Sequence, residues 1–227
     1  MHIEPGVVHG AKIALSYVTA SGAFGFAGKM AFGAIKNESG VAWLAARTVA
    51  TTALVFGFFE VFPHYRIGVS EVHLILGSTL FLIFGGGAAA LGLAFGLLAQ
   101  GLLFAPADLP QYGINVTTLL VPLYIMSLLA RKIIPNKTAY KDIRYSQALA
   151  LSTCYQSGIV AWVAFWAFYG QGFGAENLAQ IGSFGAAYMT VIIVEPLVDL
   201  AVLAVVKNLD RFRDSQMFHG RLFSPAS

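Results

Sequence analysis

The stretch Val72–Phe104, VHLILGSTLFLIFGGGAAALGLAFGLLAQGLLF, contains no Asp, Glu, Lys or Arg. Drawn as one α-helix it would be about 50 Å long at about 1.5 Å per residue. A bilayer's hydrocarbon core is only about 30 Å thick. The run Gly85-Gly86-Gly87 lies mid-stretch and is the natural break. The stretch therefore reads as a short helix over 72–85 followed by a return helix over 87–104. A single tilted helix with a re-entrant piece is the other geometry that fits.

Five further apolar segments flank this pair, at about 8–33, 41–62, 115–130, 146–169 and 179–206. Of the 227 residues, 57% are hydrophobic and 11% are charged, against a usual charged share of roughly a quarter. Too few charges remain to cover a water-facing surface, so an ordinary soluble domain is excluded. Disorder is excluded as well, because it needs low hydrophobicity and high net charge. The expectation is an all-α, polytopic membrane helix bundle of about seven transmembrane helices in one domain, 1–227, with the bundle over 11–206 and a tail over 207–227.

Lys and Arg orient the bundle. One set of segment ends carries Lys29, Lys36 and Arg47, then Arg131, Lys132, Lys137, Lys141 and Arg144, then Lys207, Arg211, Arg213 and Arg221. The other set carries only Lys12 and Arg66. Basic residues favour the cytoplasmic side, so the N-terminus is expected outside and the C-terminus in the cytoplasm. The net charge of +3 is small and clustered by topology, and no nucleic-acid partner is expected. A single cysteine, Cys154, excludes an internal disulfide or a thiolate cluster. Residues 1–10 lack the basic start of a cleavable signal, and the bulky His2 disfavours removal of Met1. Ser21, Gly22, Gly25 and Gly28 in the first segment, and Gly92 and Gly96 in the fourth, are small residues that let helix backbones approach closely.

Chemistry concentrates at the predicted outer face. A His directly after a free amino terminus offers three nitrogens in one chelate: the amine, its own backbone amide and the imidazole. Loss of the amide proton calls for a divalent ion that tolerates planar nitrogen coordination. His73 opens the third segment at the same face and can supply a fourth nitrogen. Glu71 is placed to orient that ring as an outer carboxylate. His9 and His64 share the face as entry or substitute donors, or as interfacial polar residues. Within the segments the costly ionisable residues are Lys12, Arg47, Glu60, Glu195 and Asp199. Glu195, followed by Pro196, is expected to face the bundle interior with Arg47 as its candidate partner. His219 is left without a role. No Cys-x-x-Cys, His-x-x-x-His, phosphate loop or nucleophile–base pair occurs, so no enzyme is expected.

Several of these residues form a family pattern. The start Met1-His2-Ile3-Glu4-Pro5-Gly6, the loop Phe62-Pro63 followed by Ser70-Glu71-Val72-His73 and Gly77, the stretch Gln100, Leu102-Leu103-Phe104, Gly113 and Asn115, and Glu195 occur in order along most of the chain. The sequence resembles the substrate-capture membrane subunit of cobalt/nickel energy-coupling-factor transporters, the CbiM/NikM type. The resemblance implies a metal site made by the Met1 amine, the amide and imidazole of His2, and His73, with residues 1–10 capping it. It implies Co(II) or Ni(II) as transported ligand and no organic cofactor. It also implies a bacterial or archaeal plasma membrane, and as partners a transmembrane coupling protein and ATP-binding subunits. Ser70-Glu71-Val72, Thr118 and Pro196 depart from the family's usual residues. They motivate the alternative of a non-transporting membrane subunit of a larger complex that retains the fold.

Overall fold

The computed structural model describes residues 3–208 and 212–225. Its helices are α1 (Ala14–Ala34), α2 (Gly40–Glu60), α3 (Gly77–Phe84), α4 (Gly86–Leu103), α5 (Tyr112–Ile133), α6 (Tyr145–Gln171) and α7 (Ala175–Lys207). Of these, α2, α4, α5, α6 and α7 are long and apolar enough to cross a membrane, α5 counted with the turn before it. The expected break falls where the glycine run placed it. Gly85 adopts φ +86, a left-handed conformation, and separates α3 from α4.

The third crossing differs from expectation at its start. Instead of a helix from residue 72, the chain forms a hairpin of β1 (Tyr65–Ile67) and β2 (Ser70–Val72) and then runs without regular structure to Leu76, which takes a left-handed conformation. Tyr65 pairs with Val72 and Ile67 with Ser70, antiparallel. Such backbone is tolerated at membrane depth only where protein buries it. Ile75, Leu76 and every residue of α3 are buried. The eight residues of α3 cover about 12 Å at about 1.5 Å per residue, so the irregular piece before it supplies the rest of the length.

That far end is basic. The α1–α2 junction, the α5–α6 junction and the end of α7 meet there, where Lys207 lies 3.3 Å from Asp142. The tail is not a loose extension. Its backbone folds under the bundle, with the His219 N–H donating to the Ile83 carbonyl at 2.8 Å and Leu222 and Phe223 buried. At the opposite end Lys12 donates to the carbonyls of Tyr169 and Gly170, both at 2.9 Å. A cation at the last turn of α6 opposes that helix's negative dipole end. Lys12 thus sits at a helix end rather than inside a span.

Among the described residues, only one of the two small-residue runs is used for close packing. A Cβ on Gly92 would run into Thr51, and one on Gly96 into Val55, so α2 and α4 approach closely there. Around Gly22, Gly25 and Gly28 a Cβ would meet nothing within 4 Å. Gly92→Leu is expected to destabilise the fold by about 1–3 kcal/mol through overpacking. Gly25→Leu is expected to leave it unchanged. Unfolding of the two variants in the same detergent compares them.

Candidate metal centre

The hairpin positions His73 because its tip is pinned to α7. Gly68, at the turn, has φ +62, and a Cβ there would collide with the Gln180 carbonyl. Glycine satisfies both demands. A third strand-like segment completes the structure from the chain's beginning. Ile3 bridges to Ser70, and the Glu4 N–H donates to the Val69 carbonyl at 3.1 Å. The Ile3 N–H donates to Asn115 Oδ1 at 2.9 Å, and both residues are buried.

His73 follows β2 directly and is 1% exposed. Its Nε2 lies 3.0 Å from Glu71 Oε2. The His64 ring stacks on it with centroids 4.9 Å apart, and Phe59 meets it edge-on at 5.2 Å. A carboxylate on one ring nitrogen fixes the imidazole's orientation and raises the basicity of the other. Glu71 is the carboxylate that meets this ring. His64 is brought to His73, whereas His9 turns back on the Gly6 carbonyl at 3.2 Å. Met1 and His2, the other expected ligands, lie outside the described residues. Among the described residues no group of three or more His, Cys, Asp or Glu is placed to hold a metal ion.

The surroundings are acidic. Glu4 forms a 2.6 Å ion pair with Arg66 and lies within electrostatic reach of Glu71 and Asp108. Burial pushes the Glu4 carboxyl above its ordinary range, with the Arg66 guanidinium opposing and the other two acids adding to the rise. Even with Arg66 paired to Glu4, the acids here outnumber the bases, and their field favours cations nearby.

Residues 2–212 match the CbiM family, described as the cobalt uptake substrate-specific transmembrane region. The chain belongs to the CbiM family. No curated protein sequence matches it. Among solved structures, one described as the crystal structure of a transition metal transporter shares the fold at a TM-score of 0.65 and 19% identity, covering 93% of this chain and 94% of that one. The CbiM family is one of transport components, not of enzymes, and the protein is a multi-pass membrane protein.

Away from the hairpin, the polar residues of this CbiM-family chain separate into two groups. Glu195 does face the interior and is fully buried, but Arg47 is not its partner. Arg47 sits within two turns of the start of α2, at the basic end. Its guanidinium donates to Glu38 Oε2 at 2.9 Å and to the carbonyls of Gln216 and Phe218 at 2.9 and 2.6 Å. A long Arg near a helix end reaches toward polar groups at the interface, and here the returning tail supplies them. Glu38 also meets His219 Nε2 at 3.4 Å. His219 and Arg47 together hold the Glu38 carboxyl below its ordinary range although burial works the other way. Glu60 is the last residue of α2, at the hairpin end.

Two further polar residues carry no local sequence signal. Glu38 ties the tail to α2 through His219 and Arg47, and Gln156 contacts Glu195. His219 and Glu195 are distant in sequence from them, so spacing does not reveal these contacts.

Proposed function

We propose that this chain captures Co(II) or Ni(II) for uptake, through a nitrogen site formed by the Met1 amine, the His2 amide and imidazole, and His73. The observation that carries this reading is the anchoring of Ile3 to Ser70 and to Asn115. It ties the residue next to His2 to the hairpin that presents His73. With Nε2 turned to Glu71, the nitrogen that meets the ion is Nδ1. Planar all-nitrogen coordination suits Ni(II) and related ions and disfavours Zn(II), which prefers tetrahedral sites. His64, stacked on His73, is the entry donor of this scheme, and the acids at Glu4, Glu71 and Asp108 draw cations to this end.

The basic end is cytoplasmic in this reading, by the positive-inside preference, and the membrane is a bacterial or archaeal plasma membrane. Energy comes from ATP-hydrolysing partners through a transmembrane coupling protein, because the chain has no phosphate-binding motif of its own.

The test is equilibrium binding of Co(II) and Ni(II) to the purified chain with its native start. Stoichiometric, tight binding is expected. Glu71→Ala is expected to weaken it by about 10–100-fold, the usual cost of losing a carboxylate behind a ligating histidine. Unchanged binding in both His2→Ala and His73→Ala would contradict the assignment.

A further inference from the structure

The basic end of the bundle holds a cavity of about 880 Å³, within the range of about 300–1,000 Å³ usual for small-molecule sites. Its walls come from the α5–α6 connection, the end of α7 and the returning tail. Five cations line it, Lys137, Lys141, Arg144, Lys207 and Arg213, against one acid, Asp142. Lys207 pairs with that acid at 3.3 Å. Lys137 and Arg144 are exposed and have no ion-pair partner among the described residues. Positive charges gathered at one opening repel one another and focus their field on it.

The start of α6 adds to that field. Arg144 stands directly before the helix, where an oxygen-bearing cap or an acid is favoured. The first turn of this 27-residue helix contains no acid. Its positive dipole end therefore reinforces the cations instead of opposing them. A preference for basic residues at one membrane face accounts for their number. It does not account for their gathering around one cavity, while Lys36, at the same end, stays outside it. Negative charge brought from outside the chain relieves the repulsion.

Between the cations the lining turns apolar, at Ile133, Pro135 and the buried Phe223, with Lys141 over the Phe223 ring at 5.7 Å. Tyr145, the first residue of α6, is 44% exposed, as aromatic side chains at headgroup depth are. Val205, two residues before Lys207 on α7, is exposed as well. Cations next to apolar surface at that depth match a lipid with a phosphate headgroup, whose chains need an apolar bed beside the charge.

We propose that Lys137, Arg144 and Lys207 form a binding site for a phosphate-bearing anion, and that its occupant is the headgroup of an anionic phospholipid of the adjoining leaflet. The site is separate from the nitrogen centre and independent of it. A soluble phosphate offers the same charges but makes no use of the apolar lining, so the lipid is the source assigned.

Native mass spectrometry of the full chain in detergent, titrated with cardiolipin, phosphatidylcholine or inorganic phosphate, tests the assignment. Saturable retention of cardiolipin is expected, well above that of phosphatidylcholine or inorganic phosphate at the same concentration. Lys137→Gln and Arg144→Gln, both at exposed positions, are each expected to weaken cardiolipin binding about fivefold, and together more than about tenfold. Lys36→Gln removes the same charge from the same end but outside the cavity, and is expected to leave binding unchanged. Equal losses from Lys36→Gln and Lys137→Gln would reduce the cavity to general basic surface and overturn the proposal. Unchanged affinity in the double variant, or equal retention of phosphatidylcholine, overturns it too. Saturation by inorganic phosphate with no gain from cardiolipin overturns the assignment of a lipid.

Discussion

Replacing His73 by Ala is expected to lower affinity for Co(II) and Ni(II) by more than about 100-fold, beyond the usual range for loss of a carboxylate that only orients a ligand. Two properties make the residue hard to replace. Its ring is held from one side by Glu71, at 3.0 Å, and from the others by His64 and Phe59. It is also 1% exposed, so water does not readily substitute for the lost nitrogen without a cavity opening. The fold should survive, because the hairpin is fixed by its pairing of Tyr65 with Val72 and by Gly68 against Gln180 rather than by the imidazole. Calorimetry on the purified variant, with a thermal melt as control for folding, measures both effects. A weakening of less than about tenfold with the melt unchanged would remove His73 from the ligand set.

An effect of the same size is expected from a change that alters no residue of the native sequence. Keeping the formyl group on Met1 removes the amine's lone pair from the chelate with His2, and affinity should again fall by more than about 100-fold. The anchor that carries the chain's beginning to the hairpin stays in place, because the Ile3–Ser70 bridge, the Glu4–Val69 bond and the Ile3–Asn115 bond involve residues after His2. The formylated chain therefore separates the amine's chemistry from the docking of the segment. Calorimetry on the two starts side by side gives the comparison. Equal affinities would take the amine out of the site and leave His73 to find other donors.

The two changes differ in how readily their targets were legible. The glycine run that splits Val72–Phe104 is a strong local signal, and Gly85 breaks the helix where the run placed the break. The hairpin ahead of it was hidden, because a short apolar run reads the same whether it is buried as helix or as extended chain. Residues 73–76 are of that kind. His73 was found by chemistry, as an imidazole at the face of the chain's beginning. Its setting between His64, Phe59 and Glu71 needed the fold.

The pairing of charges shows the same division. Arg47 and Glu195 are opposite charges in apolar segments, and composition alone invites them to meet. Depth decides otherwise. Arg47 lies near the basic end, where Glu38 and the returning backbone at Gln216 and Phe218 occupy its guanidinium. Glu195 lies deeper, among hydroxyl and amide groups from α3 and α6. Position along a helix is readable from sequence, but the partner that a distant segment brings to that depth is not. The tail is the clearest case: nothing in its composition announces that His219 will bond to Ile83 beneath α3.

X-ray absorption at the metal edge of the Ni(II)-loaded chain addresses the nitrogen site most directly. The expected spectrum is that of a planar shell of nitrogen donors only, with the outer-shell scattering of two imidazoles, falling to one in His73→Ala. A shell dominated by oxygen, or one in which the imidazole signal is the same with and without His73, would contradict the account.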